Sequence, residues 1–313
     1  MGVTRRALLW TGGAVAVGTP LLVSGMAGAS VGSSKRFDLT ASSNRLYWKK
    51  VLHETHHSMQ GFAFDNVNRR LFVVQARNGG SGDDLCVNQV SFTGEVLGSM
   101  YLNNAGHGVS IGVEPVGSSS YIWMECDSSS NDANGRGTAL ARFKFANGKT
   151  PSVRKLRTGS KAITCATDPV NKRLLVRRIE NGSFWYSLYK LSDAAAGNFS
   201  NRLVHFKQPD LNGSAAGTPV FQGYTLYGQY LYTLDGVVNT DNAYLTCIDM
   251  NTGKVKSRAH TEAGKSLLYR EPEGMAVYRT TSGETRLFLG LASRPSAGSA
   301  TRYSSLYYKN RLV

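Results

Sequence analysis

Cysteine is scarce in this chain, and its spacing excludes two kinds of site. The chain has 313 residues and four cysteines, none of which forms a C-x-x-C pair: Cys86, Cys126, Cys165 and Cys247. Tetrahedral cysteine zinc sites and dithiol redox sites both depend on such close pairs, so neither is expected. A Ser-His-Asp elbow and a phosphate-cradling glycine loop are also lacking, because the glycine-rich residues 78–82 have no strand-to-helix context.

Charged residues are few as well, and this excludes a disordered chain. They make up 18% of the sequence, whereas 41% of residues are hydrophobic and 10% are aromatic. Disorder requires the opposite balance, so a packed core is expected. The 34 glycines and the shortage of long helix-favouring stretches indicate short strands joined by turns. A chain of this length forms one large all-β domain or two smaller ones.

Residues 1–29 have the features of a twin-arginine export signal. Arg5 and Arg6 precede two leucines, a weakly apolar stretch broken by glycines follows, and Ala27-Gly28-Ala29 matches a cleavage site. A transmembrane anchor is the alternative, but the stretch is short and interrupted. No later segment is long and apolar enough to span a bilayer. We therefore expect a soluble, exported mature chain.

Export changes what the cysteines and the charge imply. An even number of cysteines in an oxidising compartment predicts up to two disulfides, with three possible pairings. The net charge is +15 for the whole sequence and +13 without residues 1–29. Such an excess would attract polyanions, but an exported protein is not expected to meet nucleic acid.

An internal repeat organises the mature chain. Residues 59–74 (MQGFAFDNVNRRLFVV) reappear as residues 162–177 (AITCATDPVNKRLLVR), with a constant offset of 103 and a shared D-x-V-N-basic-R-L turn. Three further segments open in the same way and lead into a second, more apolar strand: residues 106–111, 221–226 and 272–277. Counted from Gln60, His107, Ile163, Gln222 and Glu273, the spacings are 47, 56, 59 and 51 residues.

Five units of about fifty residues predict an all-β fold, a five-bladed β-propeller. A β-sandwich is the alternative, but it would not produce the same opening sequence five times. We divide the chain into the signal at 1–29, an N-terminal segment at 30–58 and the propeller at 59–313. Residues 35–51 are candidates for a strand that closes the ring against the last blade.

The repeat carries a family resemblance. The segments Met59–Asp65 (MQGFAFD), Gly106–Ser110 (GHGVS) and Tyr121–Glu125 (YIWME) resemble the TagC-like β-propeller family over roughly residues 45–310. That family groups teichoic acid biosynthesis protein C with receptor-binding proteins of certain staphylococcal phages. The resemblance implies a five-bladed propeller connected with cell-wall glycopolymers and does not by itself imply catalysis. The export signal departs from the phage members and argues against a virion role.

Propeller geometry predicts a polar mouth at one end of the channel. The first strand of each blade lines the channel and the second runs antiparallel beside it, so the start of one and the end of the other share a rim. The starts contribute Gln60, His107, Gln222 and Glu273, and the ends contribute Gln75, Arg77, Glu125, Asp127, Arg178, Asp235 and Arg294. These groups suit a hydroxyl-rich or phosphorylated ligand. Alternatively, they cap backbone groups or pair with one another.

A second candidate surface is basic. Residues 136–180 carry a net charge of +10 and residues 285–313 add five basic side chains without an acid. Such a concentration could attract a polyanion through many salt-screened contacts. The alternative is that residues 153–157 form an outer edge strand whose charges discourage aggregation.

Residues 53–57 (HETHH) match the H-E-x-x-H pattern of zinc peptidases. That pattern requires a helix that places both histidines on one face, and here the first propeller strand follows within a few residues. A weaker hypothesis keeps His56 or His57 near the mouth beside His107, as a metal ligand or as an acid and base. Polysaccharide lyases built on propellers use His, Tyr and Arg, so the enzyme alternative is His107 with a channel-facing Tyr, and with Arg77 or a nearby carboxylate.

These observations predict an exported, monomeric propeller that binds an anionic or hydroxyl-rich cell-wall polymer at its channel mouth and requires no cofactor. The alternative is a secreted polysaccharide lyase or glycoside hydrolase acting at the same mouth.

Overall fold

In the computed structural model, residues 30–77, 84–211 and 218–313 are described, and the predicted export signal lies outside them. These ranges contain twenty strands and one short helix, arranged as five four-stranded antiparallel sheets. The five-bladed β-propeller predicted from the repeat is confirmed. No helix in the described ranges has the length and hydropathy needed to cross a membrane.

Each sheet forms one blade. Blade 1 contains β2 (Met59–Asp65), β3 (Arg70–Ala76), β4 (Leu85–Val90) and β5 (Val96–Leu102). Blade 2 contains β6 (Gly112–Val116), β7 (Ser119–Ser128), β8 (Gly137–Lys144) and β9 (Arg154–Arg157). Blade 3 contains β10 (Thr164–Asp168), β11 (Arg173–Glu180), β12 (Ser183–Lys190) and β13 (Val204–Lys207), with α1 (Leu191–Ala195) between the last two. Blade 4 contains β14 (Val220–Tyr227), β15 (Tyr230–Gly236), β16 (Tyr244–Asp249) and β17 (Lys254–His260).

Blade 5 joins the two ends of the described chain. It contains β18 (Glu271–Arg279), β19 (Thr285–Ser293) and β20 (Tyr303–Lys309), and its outer strand is β1 (Asn44–Lys50), which pairs antiparallel with β20. Phe37 also bridges to Leu312, and its ring packs against Tyr227 and Tyr232 of blade 4. The N-terminal segment therefore connects blades 4 and 5 and completes the sheet of blade 5.

Five apolar clusters hold the blades together, one at each interface between neighbouring blades. Successive residues of a strand point to opposite faces of its sheet, so they enter different clusters. Phe72 and Val74 pack toward blade 2, whereas Leu71 and Val73 pack toward blade 5. Each blade thus buries both faces only because it has a neighbour on each side, and the closed ring supplies both.

The repeated D-x-V-N sequence forms a repeated turn. The carboxylate of Asp65 accepts hydrogen bonds from the backbone N–H groups of Val67 and Asn68 at 3.0 and 2.8 Å. Asp168 accepts the equivalent bonds from Val170 and Asn171, both at 3.0 Å. Both carboxylates are fully buried. The sequence repeat therefore encodes a turn between the first and second strands of a blade, in which the Asp side chain accepts hydrogen bonds from the backbone of the turn.

Glycine backbones meet at the axis of the ring. A Cβ atom placed on Gly223 would lie 2.7 Å from the Cα of Gly274, and one placed on Gly274 would lie 2.7 Å from the Cα of Gly61. One placed on Gly61 would lie 2.5 Å from the carbonyl oxygen of Gly108. Any side chain at these positions would push the inner strands apart, so the recurring glycine of the strand openings is required by packing.

The predicted disulfides are absent. All four cysteines are free and buried, and they lie in four different blades: Cys86 in β4, Cys126 in β7, Cys165 in β10 and Cys247 in β16. Burial raises the pKa of Cys86 and Cys247 to about 12 and that of Cys126 to about 11. The thiols are therefore small apolar core groups rather than cross-links.

We expect the folded protein to resist alkylation at all four cysteines, because the thiols are buried and protonated. Denaturant without reductant should expose four thiols that react with iodoacetamide, counted by mass spectrometry. Fewer than four additions under those conditions would show that disulfides form after all.

Gly274→Ala should lower the free energy of unfolding by about 2 to 4 kcal/mol, from the strain of a positive φ together with overpacking against Gly61. The control is Gly148→Ala, because Gly148 has a φ of +70° close to the +78° of Gly274 but no atom within 4 Å of a Cβ. Gly148→Ala should lower the free energy of unfolding, measured in urea, by only about 1 to 2 kcal/mol. Equal losses in the two variants would contradict the axial contact.

Candidate functional site

A cup of about 670 Å³ opens on the face of the ring where the first strands begin. Its wall is mostly polar, and eighteen residues line it: His56, His57, Ser58, Gln60, Ala76, His107, Val109, Asn134, Arg136, Arg177, Phe184, Val220, Phe221, Gln222, Glu271, Glu273, Arg294 and Arg302. Below the cup, the glycine contacts at the axis close the channel. A ligand therefore meets a blind recess rather than a tunnel.

The four residues predicted from the strand starts, Gln60, His107, Gln222 and Glu273, all line this cup. Each of them directly precedes an axial glycine, namely Gly61, Gly108, Gly223 or Gly274. Because the glycines touch, the residues before them are brought to one recess from four different blades. Blade 3 differs, since Thr164 stands at the glycine position and lies 3.3 Å from the Tyr224 hydroxyl.

The side of the cup near blade 5 holds two carboxyl groups. Glu273 is 3% exposed, and burial together with the nearby Glu271 raises its pKa well above the ordinary value. The Gln60 amide donates to the Glu273 carboxyl at 3.4 Å. Burial also raises the pKa of Glu271, an effect that Arg294 and Arg302 oppose. The buried position of Glu273 therefore favours the protonated form of its carboxyl group.

Glu125 supports the cup from below instead of lining it. Its carboxylate accepts hydrogen bonds from the backbone N–H groups of Gly108, at 2.7 Å, and Gly137. Burial nevertheless raises the pKa of Glu125 to about 7. These bonds fix the loop that carries His107, whose Nδ1 lies 3.1 Å from the carbonyl of Asn134. Burial and Arg136 lower the pKa of His107, which favours the neutral imidazole.

The arginines of the cup were mostly missed by the sequence analysis. Arg294 was predicted, whereas Arg136, Arg177 and Arg302 were not. Arg136 and Arg302 lie in loops, for which the repeat gives no register. Arg177 left a signal in the sequence, because the repeat aligns it with Val74, a position expected to be apolar.

Most of the residues predicted from the ends of the second strands lie elsewhere. Arg77 stacks on the Tyr101 ring, 3.9 Å from its centroid, and lies 3.9 Å from Glu54. The remaining residues have local roles. Asp127 forms an ion pair with Lys155 at 2.8 Å, Arg178 pairs with Glu180, and Asp235 lies 3.9 Å from Arg258. The Gln75 side-chain amide donates to the backbone carbonyls of Glu54 and His57. In blade 3 the structure places Arg177 in the wall of the cup instead of the predicted Arg178. The two residues are adjacent on β11, and successive side chains of a strand point to opposite faces of the sheet.

The HETHH segment forms turns, so the histidines do not share a helix face. His53 instead approaches Tyr101, with its Nε2 2.8 Å from the hydroxyl. His56 and His57 line the cup. In the part of the chain that the structure describes, no group of three metal-ligating side chains gathers at one point.

The basic stretch 136–180 does not form one surface. Ion pairs hold Arg142 to Glu114 at 2.8 Å and Arg173 to Asp168 at 2.5 Å. The edge residue Lys155 pairs with Asp127, as described above. Arg136 and Arg177 turn into the cup instead. Further basic side chains of this stretch remain exposed on the surface, namely Lys144, Lys149, Arg154, Lys161 and Lys172.

Comparison with known proteins now identifies the family. Residues 58–308 match the model of the phage five-bladed β-propeller receptor-binding platform domain. The chain belongs to this family. The TagC-like resemblance drawn from the sequence is thereby confirmed.

Two relatives illustrate the family's range. A Bacillus subtilis (strain 168) protein, named for major teichoic acid biosynthesis as protein C, is 27% identical over 299 residues, which cover 88% of this chain and 65% of that protein. The tail fibre of Staphylococcus aureus phage P68 superposes with a TM-score of 0.68 at 16% identity, covering 86% of this chain and 52% of the fibre. At that identity the tail fibre shows a common fold. The chain spans less than two thirds of either relative.

Glu273→Gln should flatten the dependence of stability on pH. Burial raises the folded-state pKa of Glu273 well above its ordinary value, so the folded protein holds this proton more tightly than the unfolded chain does. Its stabilising contribution is complete at low pH and is lost as the pH rises through the folded-state pKa. Wild type and variant should therefore be similar at pH 4.5, and the variant more stable at pH 8, in thermal unfolding. If the unfolding temperatures of Glu273→Gln and of the exposed control Glu95→Gln changed with pH in the same way, the titration of a buried Glu273 would be contradicted.

Proposed function

We propose that this protein binds a teichoic-acid-like cell-wall glycopolymer in the cup. The observation that carries the proposal is the cup itself, a blind polar recess on a domain whose family is described as a receptor-binding platform. The relative named for teichoic acid biosynthesis supports the choice of polymer. A recess of about 670 Å³ is large enough for a repeat unit of such a polymer.

The chemistry of the lining fits both parts of that repeat unit. Gln60, Gln222 and neutral His107 provide donors and acceptors that suit sugar or polyol hydroxyls. Arg294 and the other arginines suit the anionic groups. The raised pKa of Glu273 favours a protonated carboxyl, which can donate a hydrogen bond where an ionised carboxylate would repel an anion. No cofactor is needed for this recognition.

Binding is favoured over the enzyme alternative by the position of Arg77. The predicted acid–base pair requires His107 and Arg77 to face one substrate, but Arg77 does not line the cup and is held by Tyr101 and Glu54. Asp127 and Asp235, the carboxylates predicted at the rim, are engaged with Lys155 and Arg258. The lining leaves His107 without the arginine partner that the lyase hypothesis assigned to it.

The proposal includes export by the twin-arginine route, followed by action as a monomer at the cell wall. Residues 1–29 carry that expectation in their sequence. A wall location brings the cup to a polymer that is abundant, anionic and outside the membrane. It also removes nucleic acid as a competing polyanion.

The mature chain should be retained on immobilised wall teichoic acid, with retention that falls as salt rises, because several contacts are charged. Arg294→Gln should weaken affinity about 10-fold, the loss of one charge-assisted contact. The matched control is Arg279→Gln, since Arg279 is exposed at the opposite end of β18 from Glu271. It should bind like the wild type.

New chain ends should be measured in the same incubation. Salt-sensitive retention without new ends supports binding. Cleavage that His107→Ala abolishes would replace the binding proposal with the enzyme alternative, and no retention at any salt concentration would overturn the proposal.

A further inference from the structure

Arg177 occupies a position that is apolar in two other blades. It pairs in register with Thr164 of its inner strand, as Val74 pairs with Gly61 and Leu234 with Gly223. Val74 and Leu234 are fully buried, and Arg177 is only 2% exposed. The propeller therefore accepts a short apolar side chain at this position, and the guanidinium is not required by the fold.

The surroundings of Arg177 stack its guanidinium against two aromatic rings and leave one of its nitrogen atoms without a hydrogen-bond partner. The Phe184 and Phe221 rings stack on it, with centroids 3.4 and 3.9 Å away. Its Nε donates to the Gln208 side chain at 2.7 Å. Its Nη1 is buried and has no hydrogen-bond partner. Arg177, Phe184 and Phe221 all line the cup, so the stacked guanidinium lies at the recess, although its Nη1 atom is itself buried.

No carboxylate of the described chain forms an ion pair with Arg177, although burial of an unpaired charge is costly. Burial lowers the pKa of Arg177, Tyr186 and Tyr224 oppose that effect, and Arg136 adds to it. Arg136 lines the same cup, and its own Nε is buried and unpartnered. Arg136 pairs with Asp132 at 3.6 Å, so of the two guanidiniums it is Arg177 that has no carboxylate partner in the described chain.

We propose that Arg177, assisted by Arg136, is the phosphate anchor of the cup and binds a phosphodiester group of the polymer. The tetrahedral oxygens of a phosphate diverge and can accept from two guanidiniums, whereas the planar oxygens of one carboxylate suit a single arginine fork. The stacked phenyl rings fix the guanidinium before the ligand arrives, which reduces the entropy lost on binding. This inference rests on the proposed function, since it names the group that the cup recognises.

The experiment compares two polymers of matched length and charge by calorimetry, a poly(glycerol phosphate) and a phosphate-free polyuronate. The wild type should prefer the phosphate polymer at least 10-fold. Arg177→Leu places the residue of blade 4 at this position, so it should fold, and it should weaken phosphate-polymer binding about 10- to 100-fold. Arg177→Gln provides a second, polar variant in case the leucine disturbs packing.

Thermal unfolding separates recognition from structure. Arg177→Leu should unfold at the same or a higher temperature than the wild type, because replacing a buried unpaired charge with an apolar side chain relieves desolvation. The contrast is Arg270→Leu, because the buried Arg270 donates to the carbonyls of Ala263 and Thr261 at 2.8 and 2.7 Å. That variant should unfold at a lower temperature.

The outcomes distinguish this inference from the proposed function. If folded Arg177→Leu and Arg177→Gln bind the phosphate polymer like the wild type, the anchor is overturned and polymer binding stands. If the polyuronate binds the wild type equally well, the assignment to phosphate is overturned. If neither polymer binds the wild type, the proposed function fails, and the anchor fails with it.

Discussion

The contact between glycine backbones at the axis is the constraint on which the other features depend. Gly61, Gly108, Gly223 and Gly274 bring the inner strands so close that a Cβ atom would meet backbone within 2.5 to 2.7 Å at three of them. The centre of a five-bladed ring is narrow, and because these glycines lack Cβ atoms the inner strands approach one another closely enough to close the channel. The closed channel makes the end of the ring a recess with a floor.

The same contact determines what the recess contains. Each axial glycine fixes the residue before it at the rim, so an amide, an imidazole, a second amide and a carboxyl converge from four blades. Their confinement accounts for the raised pKa of Glu273 and the lowered pKa of His107, because little water remains to stabilise charge there. Blade 3 has Thr164 in place of glycine and contributes the guanidinium of Arg177 from its second strand.

Ion pairs do not reduce the net charge of +15, because each pair takes up one acidic group for each basic group. Arg142, Arg173 and Lys155 each have a carboxylate partner within 3 Å. Other basic side chains, among them Lys144, Lys149 and Arg154, are exposed, whereas Arg177 is buried in the wall of the recess without a carboxylate partner in the described chain. The charge excess is thus divided between surface groups and a small number of buried groups, which salt screens less than it screens surface charge.

The sequence alone determined the number of blades, the starts of four of the five inner strands to within two residues, and the four residues that open into the recess, because a local repeat encodes them. In blade 2 the inner strand begins at Gly112, after the segment that carries His107. It did not determine which residues of the second strands face that recess, since a shift of one position reverses the facing and Arg178 points away where Arg177 points in. It also could not show that the four cysteines, which the repeat places in different units, are buried and free. These features were decided by the tertiary structure, because they depend on which strands the closed ring brings together.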